Sequence, residues 1–168
     1  MTLFNIEVLV VDDHALTRNL VTEILHTARC RVRTASDGVE AFDLIVREAP
    51  SIVISDLEMP NDGLSLLANI RRSPRSPDPT LPVIAMTSLT DKNTVLSLRD
   101  AGANEVISKP FSPQTVLGRV AAIIDQPRLF VRMPDYVGPD RRRKRTAGYD
   151  GPLRRSGERQ VQQEALEL

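Results

Sequence analysis

The sequence predicts a doubly wound α/β domain, in which helices cover both faces of a parallel β-sheet. The first observation is that short strand-like runs alternate five times with segments whose apolar residues recur at helical spacing. The second is that several of these runs are apolar at nearly every position, as in strands buried on both faces. The third is the length of 168 residues, which suits one such domain with an appendage.

The first three elements follow from the hydrophobic pattern near the N-terminus. Residues 6–11 form a nearly continuous β-branched run, which predicts a buried strand. Residues 14–27 place Leu16, Leu20 and Ile24, with the neighbouring Val21 and Leu25, at helical spacing. Residues 31–35 predict a short strand nearer the edge of the sheet.

The middle of the chain repeats this alternation. Residues 37–47 have a helical apolar pattern, and Pro50 marks its end because proline interrupts a helix. Residues 51–55 predict a second buried strand. Residues 63–71 predict a helix, and a loop rich in Pro and Ser follows it at residues 73–82.

The last part of the domain completes five strands and five helices. Residues 83–86 predict a strand, residues 93–101 a helix that ends at Gly102, and residues 105–108 the fifth strand. Residues 113–125 predict the closing helix. Parallel strands joined by helices need right-handed crossovers, so functional residues are expected beyond the carboxyl ends of the strands.

Polar side chains stand at these predicted strand ends. Asp12 and Asp13 follow the first strand, and Asp56 follows the third. Thr87 ends the fourth strand, and Lys109 ends the fifth. Three carboxylates that converge repel one another unless a cation lies between them, and an all-oxygen site of this charge suits Mg²⁺.

The same set of residues suits phosphoryl transfer. An Asp carboxylate can attack a phosphoryl group and form an acyl phosphate. The ammonium of Lys109 and the hydroxyl of Thr87 could then stabilise the phosphoryl oxygens. The alternative for each residue taken singly is a helix N-cap or a loop position, but the whole set at different strand ends favours a site.

Composition favours a cytoplasmic location. No apolar stretch approaches the roughly 18 residues that a membrane span requires. The N-terminus has no basic region before its apolar run, so it does not predict a signal peptide. Cys30 is the single cysteine and cannot form an internal disulfide, which fits a reducing compartment.

The charges are divided unequally along the chain. Residues 1–126 hold 12 basic and 16 acidic side chains, a net charge of −4, whereas residues 127–168 hold 10 and 6, a net charge of +4. The hydrophobic periodicity stops after Gln126, and the segment is rich in Pro, Gly and Arg. We therefore predict an acidic domain, residues 1–126, followed by a basic arm, residues 127–168, that is disordered when free.

The arm contains a repeat. A Tyr-x-Gly-Pro-x-Arg-Arg motif spans residues 136–142 and recurs at residues 149–155. A solvated tail or a nonspecific nucleic-acid arm needs only charge, and would not require Tyr and Gly-Pro at fixed offsets in two copies. We therefore expect a specific ligand rather than nucleic acid.

The segments VVDDH, SDLEMP, MTS and SKPF, in this order and spacing, resemble the receiver domain of two-component response regulators, of the single-domain CheY type. The resemblance covers residues 6 to about 125. It implies a flavodoxin-like (βα)5 sheet of strand order 2-1-3-4-5. It also implies a signalling protein rather than an enzyme, with a histidine kinase or phosphotransfer protein as its partner.

The resemblance assigns a role to each site residue. Asp56 would be the phospho-acceptor, Thr87 would move to the phosphoryl oxygen, and Lys109 would pair with it. The magnesium ligands that it implies are Asp13, Asp56 and the main-chain carbonyl of Glu58, with Asp12 acting through water. Two features depart from the common pattern. Val106 replaces an aromatic residue that is frequent three positions before the Lys, and the loop at residues 59–63 is one residue shorter.

The arm motif suits a ligand with guanines, phosphates and twofold symmetry, such as cyclic di-GMP. Arg can pair bidentately with guanine, Tyr can stack on a base, and Gly-Pro sets a turn between them. The residues assigned to this ligand are Tyr136, Gly138, Pro139, Asp140, Arg141, Arg142, Arg143, Arg145, Tyr149, Gly151, Pro152, Arg154 and Arg155.

A receiver followed by an Arg-rich extension is similar to the Cle family, the CheY-like cyclic-di-GMP effectors of flagellated bacteria. That resemblance implies a ligand-dependent interaction with the flagellar motor switch. The main alternative is a single-domain phosphotransfer regulator with no nucleotide ligand. An Asp-nucleophile phosphohydrolase usually has a second Asp two residues after the nucleophile, and Glu58 stands at that position here. A receiver that binds nucleic acid through its arm is the remaining alternative.

Overall fold

The computed structural model describes residues 3–60, 63–89 and 91–140. Its strands are β1 (Glu7–Val11), β2 (Arg31–Ala35), β3 (Ile52–Asp56), β4 (Val83–Thr87), β5 (Glu105–Ser108), β6 (Phe130–Met133) and β7 (Tyr136–Pro139). Its helices are α1 (Ala15–Thr27), α2 (Gly38–Arg47), α3 (Gly63–Arg72), α4 (Lys92–Asp100) and α5 (Pro113–Asp125). The predicted ends of β1–β5 and α1–α5 differ from these by no more than one residue.

The first five strands form one parallel sheet of order β2-β1-β3-β4-β5, which confirms the predicted fold class. Every residue of β3 and β4 is buried, as their continuous apolar runs predict. The strand order reverses between β1 and β3, because β2 lies on one side of β1 and β3 on the other. The carboxyl ends of β1 and β3 therefore flank a crevice.

Two apolar layers hold the helices on the sheet. Side chains along a strand alternate between faces, so β1 contributes Leu9 to one layer and Val8 and Val10 to the other. The first layer packs under α2, α3 and α4, and its largest members include Ile45, Leu66, Leu67 and Ile70. The second packs under α1 and α5, and it includes Leu25, Ile54, Val116 and Val120.

The buried face of α1 holds three of the five apolar residues that the pattern singled out. Leu16 and Leu20 are 86% and 53% exposed, whereas Val21, Ile24 and Leu25 are buried. Residues four apart on a helix drift by about 40° per step because a turn has 3.6 residues. The row of Leu16, Leu20 and Ile24 therefore turns toward the sheet along the helix, and its last member is the one that joins Val21 and Leu25 on the buried face.

Two glycines lie in opposite environments. A Cβ on Gly63 would lie 2.4 Å from Leu57 Cα and 2.8 Å from the main-chain oxygen of Asp56, whereas a Cβ on Gly118 would meet nothing within 4 Å. We expect Gly63→Ala to lower the free energy of unfolding by about 1–3 kcal/mol through overpacking. Gly118→Ala, on the exposed face of α5, should raise it by about 0.5–1 kcal/mol. Urea denaturation of both variants tests this, and a change of the same sign in both would contradict it.

The chain forms a β-hairpin after α5. β6 pairs antiparallel with β7, with Met133 opposite Tyr136 and Phe130 opposite Pro139. The prediction of disorder from residue 127 onward is therefore wrong for this segment. The segment has no hydrophobic periodicity from which it could form a core of its own. It nevertheless buries Tyr136, Gly138 and Pro139 against the domain. The predicted ligand residues from Arg141 to Arg155 lie outside the described residues.

The hairpin docks beside Arg71, at the end of α3. The guanidinium of Arg71 donates to the carbonyl oxygen of Gly102, and its carbon lies 4.9 Å from the centroid of the Phe130 ring. A Cβ on Gly138 would lie 2.9 Å from Gly102 Cα, so the two glycine backbones approach closely. The hairpin and the turn between α4 and β5 are therefore packed together.

Within the described ranges, none of the helices has the length and apolar character that crossing a membrane requires.

Candidate functional site

The structure brings the predicted site residues together at the carboxyl edge of the sheet. Asp12, at the end of β1, and Asp56 and Thr87, the last residues of β3 and β4, are buried. Asp13 lies at the surface, with 37% of its side chain exposed. Lys109 follows β5 and reaches into the crevice, with 19% of its side chain exposed.

Lys109 joins the two buried carboxylates. Its Nζ lies 2.7 Å from Asp56 Oδ2 and 3.5 Å from Asp12 Oδ2. Burial acts to lower the pKa of Lys109, but the hydrogen bond and charge of Asp56, with the charges of Asp12 and Glu58, raise the pKa overall. The side chain is therefore an ammonium at neutral pH.

Asp12 is the most enclosed carboxylate of the site. It is 0% exposed, and its Oδ1 accepts a hydrogen bond of 2.8 Å from the main-chain N–H of His14. Its Oδ2 is buried and has no hydrogen-bond partner. Burial, together with the charge of Asp56, raises the pKa of Asp12 although the His14 hydrogen bond and Lys109 oppose the shift.

This oxygen-rich pocket fits a divalent cation. Ligand atoms of Asp12, Asp13, His14 and Asp56 lie within 4.8 Å of one another. A buried carboxylate oxygen without a hydrogen-bond donor is an acceptor that a cation would satisfy, and carboxylates are the ligands that Mg²⁺ prefers. The pocket also contains His14, whose Nδ1 lies 3.0 Å from Asp13 Oδ1 and which sequence analysis did not assign to the site.

The side chain of Glu58 connects the loop after β3 with the loop after β4. Its carboxylate accepts hydrogen bonds of 2.7 Å from the main-chain N–H and from the hydroxyl of Ser88, and one of 3.3 Å from the hydroxyl of Thr87. The Ser88 hydroxyl is the main cause that lowers the pKa of Glu58. Thr87 therefore donates to Glu58 in this state, and not to Asp56.

Asp56 is held in place by hydrogen bonds to both of its carboxylate oxygens. The main-chain N–H of Glu58 donates to Oδ1 over 3.0 Å, and Lys109 contacts Oδ2. The sequence motif predicted Thr87 and Lys109 but not the contacts of Glu58 with Ser88. An oriented carboxylate beside an ammonium and a cation pocket has the arrangement that a phosphoryl acceptor needs.

The family model for the response regulator receiver domain matches residues 8–121. The chain belongs to this family. Receiver domains act in two-component signalling, and they typically hold Mg²⁺ at an acidic pocket such as the one formed by Asp12, Asp13 and Asp56. They are generally signalling proteins rather than enzymes.

Individual relatives agree with this assignment. A probable transcriptional regulator, ycf27, of Guillardia theta is 36% identical over 119 residues, which cover 70% of this chain and 45% of that protein. The structure of a putative response regulator from Chloroflexus aurantiacus has a TM-score of 0.67 and 32% identity, and the match covers 73% of this chain and 99% of that one. The chemotaxis protein CheY4 of Vibrio cholerae has a TM-score of 0.65 and 28% identity, and the match covers 71% and 98% of the two chains.

The match spans about half the length of the first curated relatives. An uncharacterised 14.6 kDa protein of Leptolyngbya boryana is matched over 85% of its length at 34% identity. The receiver family model stops at residue 121, before the hairpin begins at Phe130.

The predicted arm site is only partly described. Tyr136, Gly138 and Pro139 are buried in the hairpin, and the hydroxyl of Tyr136 donates to the carbonyl oxygen of Pro139 over 2.7 Å. The main-chain N–H of Asp140 donates to the carbonyl oxygen of Leu129 over 2.7 Å. These four residues thus have structural contacts that sequence analysis did not predict.

Proposed function

We propose that this receiver accepts a phosphoryl group on Asp56 from a histidine kinase or a phosphotransfer protein. A carboxylate oxygen of Asp56 attacks phosphorus, the bond from phosphorus to the donor imidazole nitrogen breaks, and an acyl phosphate forms. The observation that carries the proposal is the 2.7 Å contact between Lys109 and Asp56, in a pocket that also holds the buried Oδ2 of Asp12, which lacks a hydrogen bond and lies 3.5 Å from Lys109 Nζ.

The chain's own residues divide the remaining tasks. Lys109 stabilises negative charge on the phosphoryl oxygens, and Thr87 donates its hydroxyl to one of them once it leaves Glu58. Asp12, Asp13, Asp56 and the main-chain carbonyl of Glu58 would hold Mg²⁺. When bound, Mg²⁺ supplies positive charge that offsets the charge developing on the transferred group.

Phosphorylation by a small donor tests this assignment. Incubation with acetyl phosphate and Mg²⁺ should add the mass of one phosphoryl group to the chain. The product should be lost in Asp56→Asn and retained in Asp43→Asn, which changes an exposed aspartate on α2. Equal labelling of the two variants would refute Asp56 as the acceptor.

The contacts of Glu58 predict that its side chain opposes the phosphorylated state. Glu58 retains the hydroxyl of Thr87 and the loop at Ser88, and it places a negative charge near the phosphoryl position. We expect Glu58→Ala to bind beryllofluoride, a phosphoryl mimic, roughly tenfold more tightly than the unchanged protein. Titration of beryllofluoride into the unchanged protein, Glu58→Ala and the control Glu40→Ala measures this. Weaker binding by Glu58→Ala would contradict the prediction.

We further propose that the arm binds cyclic di-GMP. The support is the net charge of +4 in residues 127–168 together with the doubled motif, which offers Arg pairs and Tyr rings to two guanines and two phosphates. The run Arg141, Arg142, Arg143 and Arg145 begins two residues after the end of β7, and the second copy adds Tyr149, Arg154 and Arg155. Tyr136 is buried in the hairpin, so its ring would have to leave that position before it could stack on a base.

The proposed output is a ligand-dependent interaction with the flagellar motor switch. Ordering of the arm around the nucleotide would create the new contact surface, at an entropic cost of a few kcal/mol. The alternative is a phosphotransfer regulator without a nucleotide ligand, which depends on Asp56 alone.

Calorimetric titration of cyclic di-GMP at physiological salt separates these functions. We expect saturable binding to the full chain and its loss after combined replacement of Arg141, Arg142, Arg154 and Arg155 with alanine. The matched control replaces Arg29, Arg72, Arg99 and Arg119, which removes the same charge from the domain. Absence of binding to the full chain would leave the phosphotransfer alternative, and displacement by DNA with a steep salt dependence would indicate a nucleic-acid arm.

A further inference from the structure

The part of the motif that the hairpin buries, Tyr-x-Gly-Pro, is present in both copies. In β7 the residues Tyr136, Gly138 and Pro139 are buried, and Val137 is partly exposed. The second copy keeps Tyr, Gly and Pro at the corresponding positions of residues 149–152 and changes only the Val, to Asp150. The repeat therefore duplicates the residues that dock on the receiver.

The geometry explains why these three residue types are required. The hydroxyl of Tyr136 closes back on the carbonyl oxygen of Pro139, so the buried polar group is satisfied within the motif itself. A Cβ at Gly138 would lie 2.5 Å from that hydroxyl and 2.9 Å from Gly102 Cα, so only glycine fits between the ring and the receiver backbone. None of these contacts depends on Val137 carrying an apolar side chain.

We propose that residues 149–152 are an alternative partner strand for β6 and exchange with Tyr136–Pro139 at the same docking site on the receiver. Phe130 stays stacked on Arg71 in both forms, because β6 does not move. The second form places Tyr149 opposite Met133 and Gly151 opposite Val131, in the register that Tyr136 and Gly138 have now.

The one differing position favours the second form, and the connecting loop favours the first. Arg132 pairs with Val137 in the present register, and it would face Asp150 after exchange, which places opposite charges across the strands. The connection would lengthen from residues 134–135 to residues 134–148. Closing the longer loop costs roughly twentyfold in the equilibrium constant, so the first copy dominates in the free protein.

The exchange changes which residues a ligand of the arm can contact. With the first copy docked, Tyr136 is buried. With the second copy docked, Tyr136 would be released, and it would share the connection of residues 134–148 with the run of Arg residues. The inference goes beyond the proposed nucleotide binding and does not require it.

Glycine substitutions in the full chain, without nucleotide, test the exchange. The variants are Gly138→Ala, Gly151→Ala and the double variant, and the measurement is amide hydrogen exchange by NMR at Phe130–Met133, with the chemical shift of the Gly102 amide as a second probe. Gly151→Ala should match the unchanged protein. Gly138→Ala should lose about tenfold in protection but keep paired strands, and the double variant should lose protection entirely.

The outcomes separate the exchange from simpler explanations. Loss of protection in Gly138→Ala as complete as in the double variant would overturn the proposal. A double variant as protected as the unchanged protein would also overturn it, because alanine would then fit the site. If the protection of Gly138→Ala decreases when the protein is diluted roughly tenfold, the second copy docks from another chain. That result would overturn exchange within one chain. Tyr136→Ala and Tyr149→Ala, singly and together, should repeat the pattern.

Discussion

Replacement of Arg71 with alanine is expected to lower the free energy of unfolding by about 3 kcal/mol and to release the hairpin from the receiver. Arg71 is 2% exposed, and its guanidinium donates to the carbonyl oxygens of Pro79, Leu81 and Gly102 and to Asn104 Oδ1, over distances of 2.7–3.1 Å. Alanine would remove the Arg71 donor from the three carbonyl oxygens, whereas Asn104 Oδ1 would keep the hydrogen bond of 3.0 Å from the main-chain N–H of Val83. It would also remove the partner of the Phe130 ring.

The neighbouring arginine provides the matched control. Arg72 is exposed at the end of α3, so Arg72→Ala should change the free energy of unfolding by no more than about 0.5 kcal/mol. Arg71→Lys should recover part of the loss, since a single ammonium cannot reach all the acceptors that the planar guanidinium contacts. Urea denaturation measures stability, and hydrogen exchange at Phe130–Met133 reports on the hairpin. An Arg71→Ala variant as stable as Arg72→Ala would contradict the prediction.

The effect of Arg71 should not depend on pH near neutrality. Burial lowers the pKa of Arg71 to about 10, so the side chain is charged both folded and unfolded below that value. The penalty of burying the charge is present throughout this range and is relieved only as pH rises above 10. The difference between Arg71→Ala and the unchanged protein should therefore be the same at about pH 6 and pH 8.

The receiver fold is predictable because each strand and helix has a consistent local pattern. The continuous apolar runs at β3 and β4 are possible only where both faces of the strand are covered, and the structure buries every residue of both. The caps agree with the pattern, as Asp37 accepts from the N–H of Glu40 and Ser112 from that of Thr115. The topology places strand ends at one edge, which brings Asp12, Asp56, Thr87 and Lys109 together.

The sequence does not reveal contacts that depend on where loops pass each other. Glu58 reaches Ser88 across the site, 30 residues along the chain, and neither has a local pattern that indicates this contact. Arg71 lies at the end of a helix, where arginine is usually exposed, and its burial depends on a hairpin that joins it from 59 residues away. The hairpin sequence shows no hydrophobic periodicity, because its buried residues pack against the surface of the receiver and do not form a separate core.

Asp12→Asn is expected to weaken Mg²⁺ binding roughly 10- to 100-fold and, without Mg²⁺, to stabilise the protein by about 1 kcal/mol. Both effects follow from one feature, a fully buried carboxylate whose Oδ2 has no hydrogen-bond partner. An ionised group in this position costs stability, and a cation offsets that cost. Asparagine keeps the shape and can still accept from the N–H of His14, but it removes the charge.

The pH dependence gives this prediction a second measurement. The pKa of Asp12 is raised above its ordinary value of 3.8, so without Mg²⁺ its protonated form favours folding at low pH, and this stability is lost as pH rises through the raised pKa. Mg²⁺ affinity follows the opposite trend and falls as pH decreases, because protons compete for the same carboxylate. Asp12→Asn should remove this contribution from the pH dependence of stability and from the pH dependence of Mg²⁺ affinity. Asp43→Asn should leave both dependences unchanged. Unaltered Mg²⁺ affinity in Asp12→Asn would show that the buried carboxylate takes no part in holding the ion. A stabilised variant with weakened Mg²⁺ binding would show that the receiver keeps a destabilising charge in place for its ligand.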